Sequence, residues 1–477
     1  MKNVNKALRN LPKVDDLLNR AVLSPETTGL SRNSLLVGIR ATLQDLRDKI
    51  KNEECISSLD MYIDSKDIID SKEILEKAIL EKAILAAKAH SSLNLCSVIN
   101  ATGIVLHTNL GRAPLGEEVA EHVKQVALSY CTLEYDVQTG KRGSRTQAVE
   151  KRICNLTKAE AACIVNNNAA GVLLVLSALC AYKEVIVSRG ELVEIGGSFR
   201  VPDVISQGGA VLREVGATNK VRLADYAYAI GQNTAALMKV HTSNYKIMGF
   251  FEEVSIRDLK TLSEEHSLPL IYDLGSGTLV PIGDEPTVQA TISAGADIIC
   301  FSGDKLLGST QSGIIVGKKE YINKLQAHPL YRALRIDKLS LAALEASLRC
   351  YENLSEAKTH IPTLSMLLAD KTSLHNKAEQ LLAYLASISR EDSFYAQILE
   401  TKSQAGGGSL PEHDFNSWAV AVSPIAISVA SLESALRNRA VPIITRIHKD
   451  QLLLDVRTID AMHFPIIKEA FAQIFVP

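Results

Sequence analysis

The sequence predicts an α/β protein built around a mostly parallel β-sheet, with a helical domain before the sheet and a smaller α/β domain after it. Short β-rich runs alternate with helical patterns between about residues 96 and 320, and each run ends in polar residues or glycine. Strands separated by helices form parallel sheets, whose functional sites lie at the carboxyl ends of the strands. We therefore expect a functional site along that edge of the sheet.

The 477-residue chain is long enough for two or three domains. We predict a helical domain over residues 1–90, a large α/β domain over residues 91–362 and a small α/β domain over residues 363–477. Two long helical patterns define the first domain: SRNSLLVGIRATLQDLRDKI (31–50) and SKEILEKAILEKAILAAKAH (71–90). The former begins with serine, and the latter has glutamate and lysine interleaved on its polar face.

Several β-rich runs of the large domain are predicted strands: AACIVNN, EVIVSRG, AVLREVG, AALMKVHTSN, LPLIYDLGSG and DIICFSGDK. Residues 320–362 are predicted to form a helical connection to the small domain. The β-rich segments of the small domain include SWAVAVSP and QLLLDVRTI, and its glycine triplet at 406–408 indicates an exposed loop.

Composition and charge narrow the class of protein. Hydrophobic residues make up 46% of the chain and charged residues 22%, as in ordinary globular proteins. The net charge of −2 gives no overall basic field of the kind that indicates a nucleic-acid partner, and no DNA partner is expected. No segment has the pattern of a secretory signal or a transmembrane helix, so no membrane partner is expected. The eight cysteines are scattered without a CxxC pair, which favours reduced thiols in the cytoplasm over disulfides or a metal site.

A lysine and an aspartate after two neighbouring apolar runs indicate cofactor chemistry. Lys305 follows the run ADIICFS, and Asp273 ends the run PLIYD. A lysine beside a strand end can form a Schiff base, and an upstream acid can keep a pyridinium nitrogen protonated. Pyridoxal phosphate needs these two protein groups. A solvated loop lysine and a turn aspartate are the ordinary alternatives, but the ordered pair, with an apolar strand before each member, favours the cofactor.

The start of a helix is a candidate phosphate-binding site, at Asn167, Asn168 and Ala169. Here the strand pattern AACIV passes into the apolar helix pattern of residues 166–179. Free backbone amides and the positive end of a helix dipole suit a phosphate. An ordinary asparagine cap is the alternative, and it is favoured if Lys305 is ignored. Ser302 is either a further hydrogen-bond donor to the same phosphate or a simple turn residue.

Three arginines are candidates for binding an anionic group. Arg112 lies in the polar, glycine-containing segment VINATGIVLHTNLGRAPL (98–115), and its guanidinium has the fork shape that suits an anion. Arg332 and Arg335 are spaced i, i+3 on one face of a predicted helix. They are either a clamp for a phosphate-like anion or surface arginines, and spacing alone favours the surface.

Glu191, Glu194 and Arg200 follow another predicted strand and are either substrate or ring contacts or parts of a solvated loop. Ser243, Asn244 and Tyr245 follow a further strand, so we expect them on the same rim.

Several long segments resemble the bacterial selenocysteine synthases, the L-seryl-tRNA(Sec) selenium transferases. They are, in order along the chain, NATGIVLHTNLGRAPL, SRGELVEIGGSFRVPDV, HTSNYKIMGF, YDLGSGT and FSGDKLLGSTQSGIIVGKK. LRNLPKVDDLL near the start and PIITRIHKDQLLLDVRTI near the end are similar too, so the resemblance covers nearly the whole chain. It implies the fold-type I architecture of pyridoxal-phosphate-dependent transferases, with a seven-stranded, mostly parallel sheet. It also implies a tRNA-binding N-terminal domain and a ring-shaped homodecamer built from dimers.

The resemblance assigns roles to individual residues. Lys305 matches the family's Schiff-base lysine and Asp304 the acidic residue beside it, while Asp273 matches the pyridinium partner of the wider fold. The arginines that hold the anionic group of the selenium donor, selenophosphate, match three positions: Arg112, Arg332 and Arg335.

The reaction implied by the resemblance converts seryl-tRNA(Sec) into selenocysteinyl-tRNA(Sec). Lys305, displaced from the cofactor by the α-amino group, is the expected base for the α-proton. Loss of the β-hydroxyl then leaves a tRNA-bound aminoacrylate on the cofactor, to which selenophosphate adds selenium. Two alternatives are a pyridoxal-phosphate-dependent lyase acting on a free small amino acid or amino sugar, and a non-catalytic RNA-binding paralogue. The lyase needs neither the helical domain nor the three arginines, and the paralogue predicts loss of the Lys305–Asp273 pair.

Overall fold

The computed structural model describes residues 11–52, 68–91, 93–196 and 199–475, together with Leu8. Parts of the predicted 1–90 domain, including residues 53–67, lie outside the described residues. The chain divides into two compact units, Met1–Ser97 and Val98–Pro477. Apart from residues 91–97, both predicted α/β domains lie within the second unit. The three-domain division therefore stays a prediction.

The described part of the N-terminal unit contains the helices α1 (Val14–Leu23), α2 (Arg32–Lys51) and α3 (Ile68–Ser91). Both predicted helical patterns are thereby confirmed. The serine that precedes the first pattern is the N-cap of α2, because the Ser31 hydroxyl accepts a hydrogen bond from the Ser34 N–H at 3.0 Å.

The three described helices share one apolar core, to which each contributes buried side chains: Leu17, Leu18, Leu35, Ile39, Leu43, Ile79 and Ala83. Helices α2 and α3 approach closely at Gly38, where a Cβ atom would lie 2.3 Å from the carbonyl oxygen of Ala83. Any larger residue at Gly38 therefore forces the two helices apart.

The strands of the second unit are β1 (Ile99–Asn100), β2 (Tyr135–Asp136), β3 (Lys141–Arg142), β4 (Ala161–Val165), β5 (Glu184–Ser188), β6 (Glu194–Gly196), β7 (Phe199–Arg200), β8 (Val211–Val215), β9 (Thr234–Val240), β10 (Leu270–Gly275), β11 (Ile298–Ser302), β12 (Gly313–Gly317), β13 (Phe394–Gly406), β14 (Ser409–Pro424), β15 (Ile443–Ile444), β16 (Arg446–His448) and β17 (Gln451–Asp455).

The helices of the second unit are α4 (Glu117–Leu128), α5 (Gln147–Thr157), α6 (Asn168–Leu179), α7 (Val201–Gln207), α8 (Leu223–Ala229), α9 (Ile256–Glu265), α10 (Val288–Ser293), α11 (Lys319–Ala327), α12 (Pro329–Ala333), α13 (Lys338–Cys350), α14 (Leu354–His360), α15 (Pro362–Leu367), α16 (Lys371–Ala386), α17 (Val429–Arg437) and α18 (Phe464–Phe475). Among the described residues of both units, no helix combines the length and apolar character needed to cross a membrane.

Seven strands form the central sheet, in the order β4-β12-β11-β10-β9-β5-β8. Strand β12 runs antiparallel to both of its neighbours, and the other pairs are parallel. The predicted seven-stranded, mostly parallel sheet is therefore confirmed, and the six quoted β-rich runs of the large domain are β4, β5, β8, β9, β10 and β11. The predicted helical connection over residues 320–362 is confirmed as well, because it corresponds to α11 to α14.

Both faces of this sheet are buried, which explains why its strands are continuous apolar runs. Along β11, Ile298 and Cys300 pack into one hydrophobic cluster with α6 and α7. The alternate residues Ile299 and Phe301 pack into another cluster, with α5 and α13. Ser302 is the last residue of β11, Lys305 follows it, and Asp273 lies near the end of β10, so the candidate site is at the carboxyl edge.

A four-stranded antiparallel sheet, β13-β14-β17-β16, forms the C-terminal part of the second unit. The glycine triplet at 406–408 is the tip of the long β13–β14 hairpin, and all three glycines have positive φ. The expectation of an exposed loop was wrong. The tip is half-buried against residues 104–106, where a Cβ on Gly406 would lie 2.4 Å from Ile104 Cγ2.

The first residues of the second unit are held by its last strands. Strand β1 pairs in parallel with β15. Further along, the Val105 N–H donates to the Gln404 carbonyl at 3.0 Å, and the Leu106 N–H to the Ala405 carbonyl at 2.7 Å. The segment that leads to Arg112 is thereby fixed against the C-terminal sheet.

Candidate active site

Lys305 lies just beyond the carboxyl end of β11 and is 6% exposed. A tight turn positions it: the Gly303 N–H donates to the Ser312 carbonyl, and the Gly308 N–H donates to the Lys305 carbonyl, both at 2.9 Å. A Cβ on Gly275 would lie 3.8 Å from both Lys305 Nζ and Ser243 Oγ. Burial lowers the pKa of the Lys305 amine, against the charge of Asp273. The amine is thus shifted towards its neutral, nucleophilic form.

Asp273 is buried in β10, and its carboxylate has a fixed partner. Asp273 Oδ1 accepts a hydrogen bond from Asn168 Nδ2 at 2.9 Å. Burial raises the pKa of the Asp273 carboxyl, and the Asn168 hydrogen bond together with the charges of Lys305 and His241 opposes the rise. Lys305 and Asp273, predicted as a pair, therefore lie close enough to affect each other's charge.

The predicted phosphate site lies at the start of α6. Asn167 is the N-cap residue, because its Oδ1 accepts a hydrogen bond from the Ala170 N–H at 2.9 Å. This is the cap interpretation that the sequence left open. The side chain of Asn168 is occupied by Asp273, so backbone N–H groups at Asn168 and Ala169 are the donors that α6 offers to a ligand.

Ser302, Asp304 and Arg112 form one connected group beside Lys305. The Ser302 hydroxyl donates to Asp304 Oδ1 at 2.8 Å, and Arg112 Nη1 donates to Asp304 Oδ2 at 2.8 Å. In this structure the Ser302 hydroxyl is therefore a hydrogen-bond donor to Asp304. Asp304 is 6% exposed, so its charge is compensated by the arginine and not by solvent.

The backbone at Arg112 is held in a left-handed conformation, with φ of +62°. Two N–H groups, those of Leu110 and Arg112, donate to the His107 carbonyl and close the loop. Gly111, with φ of +91°, makes the turn possible. A left-handed non-glycine residue costs about 1 kcal/mol, and such residues cluster at functional sites.

Arg332 and Arg335 are not in contact with the Lys305 group in the described part of the chain. Arg332 is exposed on α12. The backbone of Arg335 bridges to Val165 at the end of β4, and its Nη1 lies 3.6 Å from Glu134 Oε1. The three predicted anion-binding arginines therefore divide into Arg112 beside the lysine and a pair at the β4 edge.

Two side-chain pairs near the ends of β9 and β5, each with a buried carboxylate, were not found from the sequence. Glu191, predicted as a loop contact, accepts from Lys239 Nζ at 2.9 Å and from the Val240 N–H at 2.8 Å. His241 Nε2 lies 3.2 Å from Glu285 Oε1, in a cleft of about 570 Å³. The partners are far apart along the chain, so no local pattern reveals them.

The central sheet, with Lys305 after β11 and Asp273 on the neighbouring β10, defines an enzyme of the fold-type I class. A solved structure of D-glucosaminate-6-phosphate ammonia-lyase has the same fold, with a TM-score of 0.55 and 23% identity over 82% of this chain and 99% of that chain. At that identity the likeness concerns the fold alone.

The chain belongs to the L-seryl-tRNA selenium transferase family. A family model with that description matches residues 98–460, and a model of the selenocysteine synthase N terminus matches residues 8–47. An L-seryl-tRNA(Sec) selenium transferase of Clostridium botulinum (strain Loch Maree / Type A3) is 44% identical over 472 residues, 98% of each chain. One of Alkaliphilus metalliredigens (strain QYMF) is 44% identical over 477 residues, 99% of each chain. The resemblance drawn from the sequence is thereby confirmed.

Proposed function

We propose that the protein converts seryl-tRNA(Sec) into selenocysteinyl-tRNA(Sec), with pyridoxal phosphate as cofactor and selenophosphate as selenium donor. One observation carries the proposal: buried Lys305 lies between Asp273 and the Arg112–Asp304 ion pair in a chain of this family. The curated relatives are named for the same activity.

The residues at this edge fit pyridoxal phosphate. The amine of Lys305 is shifted towards its neutral form, and a carboxylate lies nearby on β10. Two buried polar atoms, Asn168 Oδ1 and Ser276 Oγ, have no hydrogen-bond partner among the described residues. Buried polar atoms are normally satisfied, so orphaned ones around a lysine favour a polar ligand.

Each group has a proposed task toward the cofactor. Lys305 holds it covalently, Asp273 keeps a proton on its ring nitrogen, and the start of α6, from Asn167 through Asn168 to Ala169, binds its phosphate with Ser302 nearby. When bound, pyridoxal phosphate takes up the electrons that remain at the substrate α-carbon after loss of its proton.

The protein side chains perform the proton transfer and bind the donor. Lys305, released by the amino group of the substrate, removes the α-proton. Asp304 orients Lys305 through its fixed hydrogen bonds to Ser302 and Arg112. The β-hydroxyl of the serine leaves as water, selenium from selenophosphate bonds to the β-carbon, and hydrolysis of the P–Se bond releases inorganic phosphate. The anionic group of selenophosphate is bound by three arginines: Arg112, Arg332 and Arg335.

We further propose that the N-terminal unit binds tRNA, that the subunits form a homodecamer built from dimers, and that the enzyme works in the cytoplasm. The match of residues 8–47 to the N-terminal family model supports the first point. The free thiols of Cys163, Cys180 and Cys300, all buried, suit a reducing compartment.

The test is incubation with seryl-tRNA(Sec) and selenophosphate, followed by identification of the amino acid released from the tRNA. We expect selenocysteine from the wild type, and neither product nor the visible absorbance band of the cofactor from Lys305→Ala. The control Lys319→Ala removes an exposed lysine at the start of α11 and should keep both. A Lys305→Ala enzyme with band and turnover intact would contradict the assignment.

The same assay separates the two alternatives. A lyase for a free small amino acid or amino sugar would be indifferent to tRNA, and a non-catalytic RNA-binding paralogue would bind the tRNA without converting it. The N-terminal family match argues against the lyase, and the intact Lys305–Asp273 pair argues against the paralogue.

A further inference from the structure

A second cavity, of about 620 Å³, lies between residues 98–115, helices α14 to α16 and the turn that follows β17. Three lysine or arginine side chains line it, Arg112, Lys377 and Arg457, beside two histidines, His107 and His463. Among the described residues that line it, Asp460 is the one carboxylate. The cavity therefore carries an excess of positive charge.

Arg457 is a buried cation without a carboxylate partner. It is 3% exposed, and its guanidinium donates to the carbonyl oxygens of Met366 and Asn416, the latter at 2.6 Å. Its Nε is buried without a hydrogen-bond partner, and no described carboxylate lies within 4.0 Å of the guanidinium. The charge of Asp455 and the Phe415 ring, whose centroid lies 5.5 Å from Arg457 Cζ, compensate the guanidinium only in part, because burial still lowers the pKa of Arg457. A buried charge that is only partly compensated is expensive, so its position beside a cavity and its unpaired Nε favour an anion that completes the site.

Lys377 of α16 is the second cation of this cavity. It is half-buried, and it forms no ion pair with any described residue. Burial lowers the pKa of Lys377, against the charges of Asp460 and Asp455, and the charge of Arg457 lowers it further. Two like charges in one cavity destabilise each other, and an anion between them would relieve that cost.

Arg112 connects this cavity to the candidate active site, because it lines the cavity and also contacts Asp304 beside Lys305. An anion in the cavity would therefore belong to a molecule whose reacting end is at Lys305. In an aminoacyl-tRNA the carboxyl group of the serine is esterified and uncharged. The nearest negative charges of that substrate are the phosphodiesters of its terminal nucleotides.

We propose that this cavity is a subsite for a terminal phosphodiester of the aminoacyl-tRNA, held by Lys377 and Arg457. The inference rests on the proposed function, in which seryl-tRNA is the substrate. Lysine and arginine bind phosphate oxygens through charge-assisted hydrogen bonds, which position a nucleic acid without reading its sequence. The subsite would thus place the 3′ end of any acylated acceptor stem in front of Lys305.

The experiment compares Lys377→Met with the control Lys371→Met in the full-length holoenzyme. Lys371 is on the same helix but exposed, where it pairs with Glu400 at 2.7 Å. Affinity for the trinucleotide CCA is measured by calorimetric titration, and KM is measured separately for seryl-tRNA(Sec) and for selenophosphate. We expect Lys377→Met to bind CCA about tenfold more weakly, as loss of one charge-assisted contact implies.

The expected pattern also includes a raised KM for seryl-tRNA(Sec), an unchanged KM for selenophosphate and restored affinity in Lys377→Arg. The melting temperature of Lys377→Met should not fall, because the substitution removes a poorly compensated cation. A purely structural lysine would give the opposite: lower stability with unchanged CCA binding.

Two outcomes overturn the inference. One is a raised KM for selenophosphate alone, since the anion in the cavity would then be the donor's. The other is wild-type affinity of Lys377→Met for CCA. Failure of the proposed function is a separate result, because it would appear as absence of product with the wild-type enzyme whatever the CCA affinities are.

Discussion

Asn168 connects the start of α6 to the acid on β10. Its side-chain amide donates to Asp273 Oδ1 at 2.9 Å, while its backbone N–H is one of the donors at the helix start. Burial raises the pKa of the Asp273 carboxyl, and this hydrogen bond opposes the rise because it stabilises the charged form. The side-chain hydrogen bond of Asn168 therefore favours the charged form of Asp273.

Substitution of Asn168 by alanine should move the acid limb of the pH profile of kcat/KM to higher pH. Without the hydrogen bond the pKa of Asp273 rises, so the carboxylate is lost at a higher pH as the solution is acidified. On that limb we expect kcat/KM to fall about tenfold, as removal of one hydrogen bond to a charged group implies. The measurement is kcat/KM against pH.

The control for this experiment is Asn166→Ala, which changes an exposed asparagine two positions earlier. Its pH profile should overlay that of the wild type. A shift of the acid limb to lower pH in Asn168→Ala would contradict the proposed role of the amide.

Single residues could be predicted from the sequence where each follows an apolar run or lies in a segment resembling a known family. Lys305, Asp273 and Arg112 are such residues. The partners of these side chains could not be predicted, because hydrogen bonds such as Asn168 to Asp273 join positions on separate elements. Glu191 shows the same limit: its position after β5 was noticed, but its buried bond to Lys239 required the fold.

At the scale of elements, helix α2 presents a basic stripe on one face. Arg40, Arg47 and Lys51 are spaced i, i+7 and i+11, which places them within a narrow arc of the helix surface. Arg40 and Lys51 are exposed and Arg47 is half-buried, and none of the three forms an ion pair with a described residue. Among the described residues of this unit, we propose the stripe, defined by these three residues, for the contacts with tRNA phosphates.

The double substitution Arg40→Glu/Arg47→Glu should weaken binding of tRNA(Sec) about tenfold or more and reduce its dependence on salt. Each lost phosphate contact removes one released counterion from the binding equilibrium. Filter binding over a series of salt concentrations measures both effects. Lys124→Glu, an exposed site on α4 outside the helical unit, controls for the change of charge. Equal affinities and equal salt slopes would exclude the stripe.

The tip of the β13–β14 hairpin depends on its glycines. Three consecutive glycines have φ between +63° and +74°, which side chains rarely adopt. The tip is packed against residues 104–106, so it needs small residues as well as this backbone conformation.

Gly406→Ala should lower the free energy of unfolding by about 2 kcal/mol or more, from left-handed strain and overpacking against Ile104. Urea titration followed by circular dichroism measures the change. Gly231→Ala, whose Cβ would meet no atom within 4 Å, should change stability by about 0.5 kcal/mol at most. Equal loss in both variants would mean that the packing of the tip is unimportant.

Elements with one strong signal could be predicted, such as the strands that are buried on both faces and end in polar residues. The antiparallel direction of β12 could not, because direction depends on which neighbours a strand finds. The prediction of an exposed loop at the glycine triplet was wrong for a related reason. Glycine indicates backbone freedom, and only the fold shows whether that freedom serves an exposed turn or a packed one.

At the scale of the whole molecule, the proposed homodecamer makes a direct prediction. Sedimentation velocity should give the mass of ten copies of the 51.8 kDa chain, independent of concentration in the micromolar range. A ring with closed symmetry has no free interface at which to grow, so the species should be single. A dimer as the largest species would contradict the proposal.

The fold class and family could be inferred from the sequence because the motifs extend through nearly the whole chain, as the family matches at residues 8–47 and 98–460 confirm. The boundary between the two compact units could not be predicted to the residue, because the sequence changes gradually from helical to β-rich patterns between residues 90 and 98. The cationic cavity was also beyond reach, since it is assembled from segments at both ends of the second unit.

The pairing of the first and last parts of this unit has a consequence for how the protein is made. The Gly103 N–H donates to Thr458 Oγ1, 355 positions later in the chain. Contacts of such separation form late in folding, and domains fold as they leave the ribosome. We therefore expect residues 98–112 to complete their contacts with the last strands only after the chain has been synthesised beyond residue 458. A chain that ends before residue 458 lacks this hydrogen bond, which helps to hold the segment leading to Arg112.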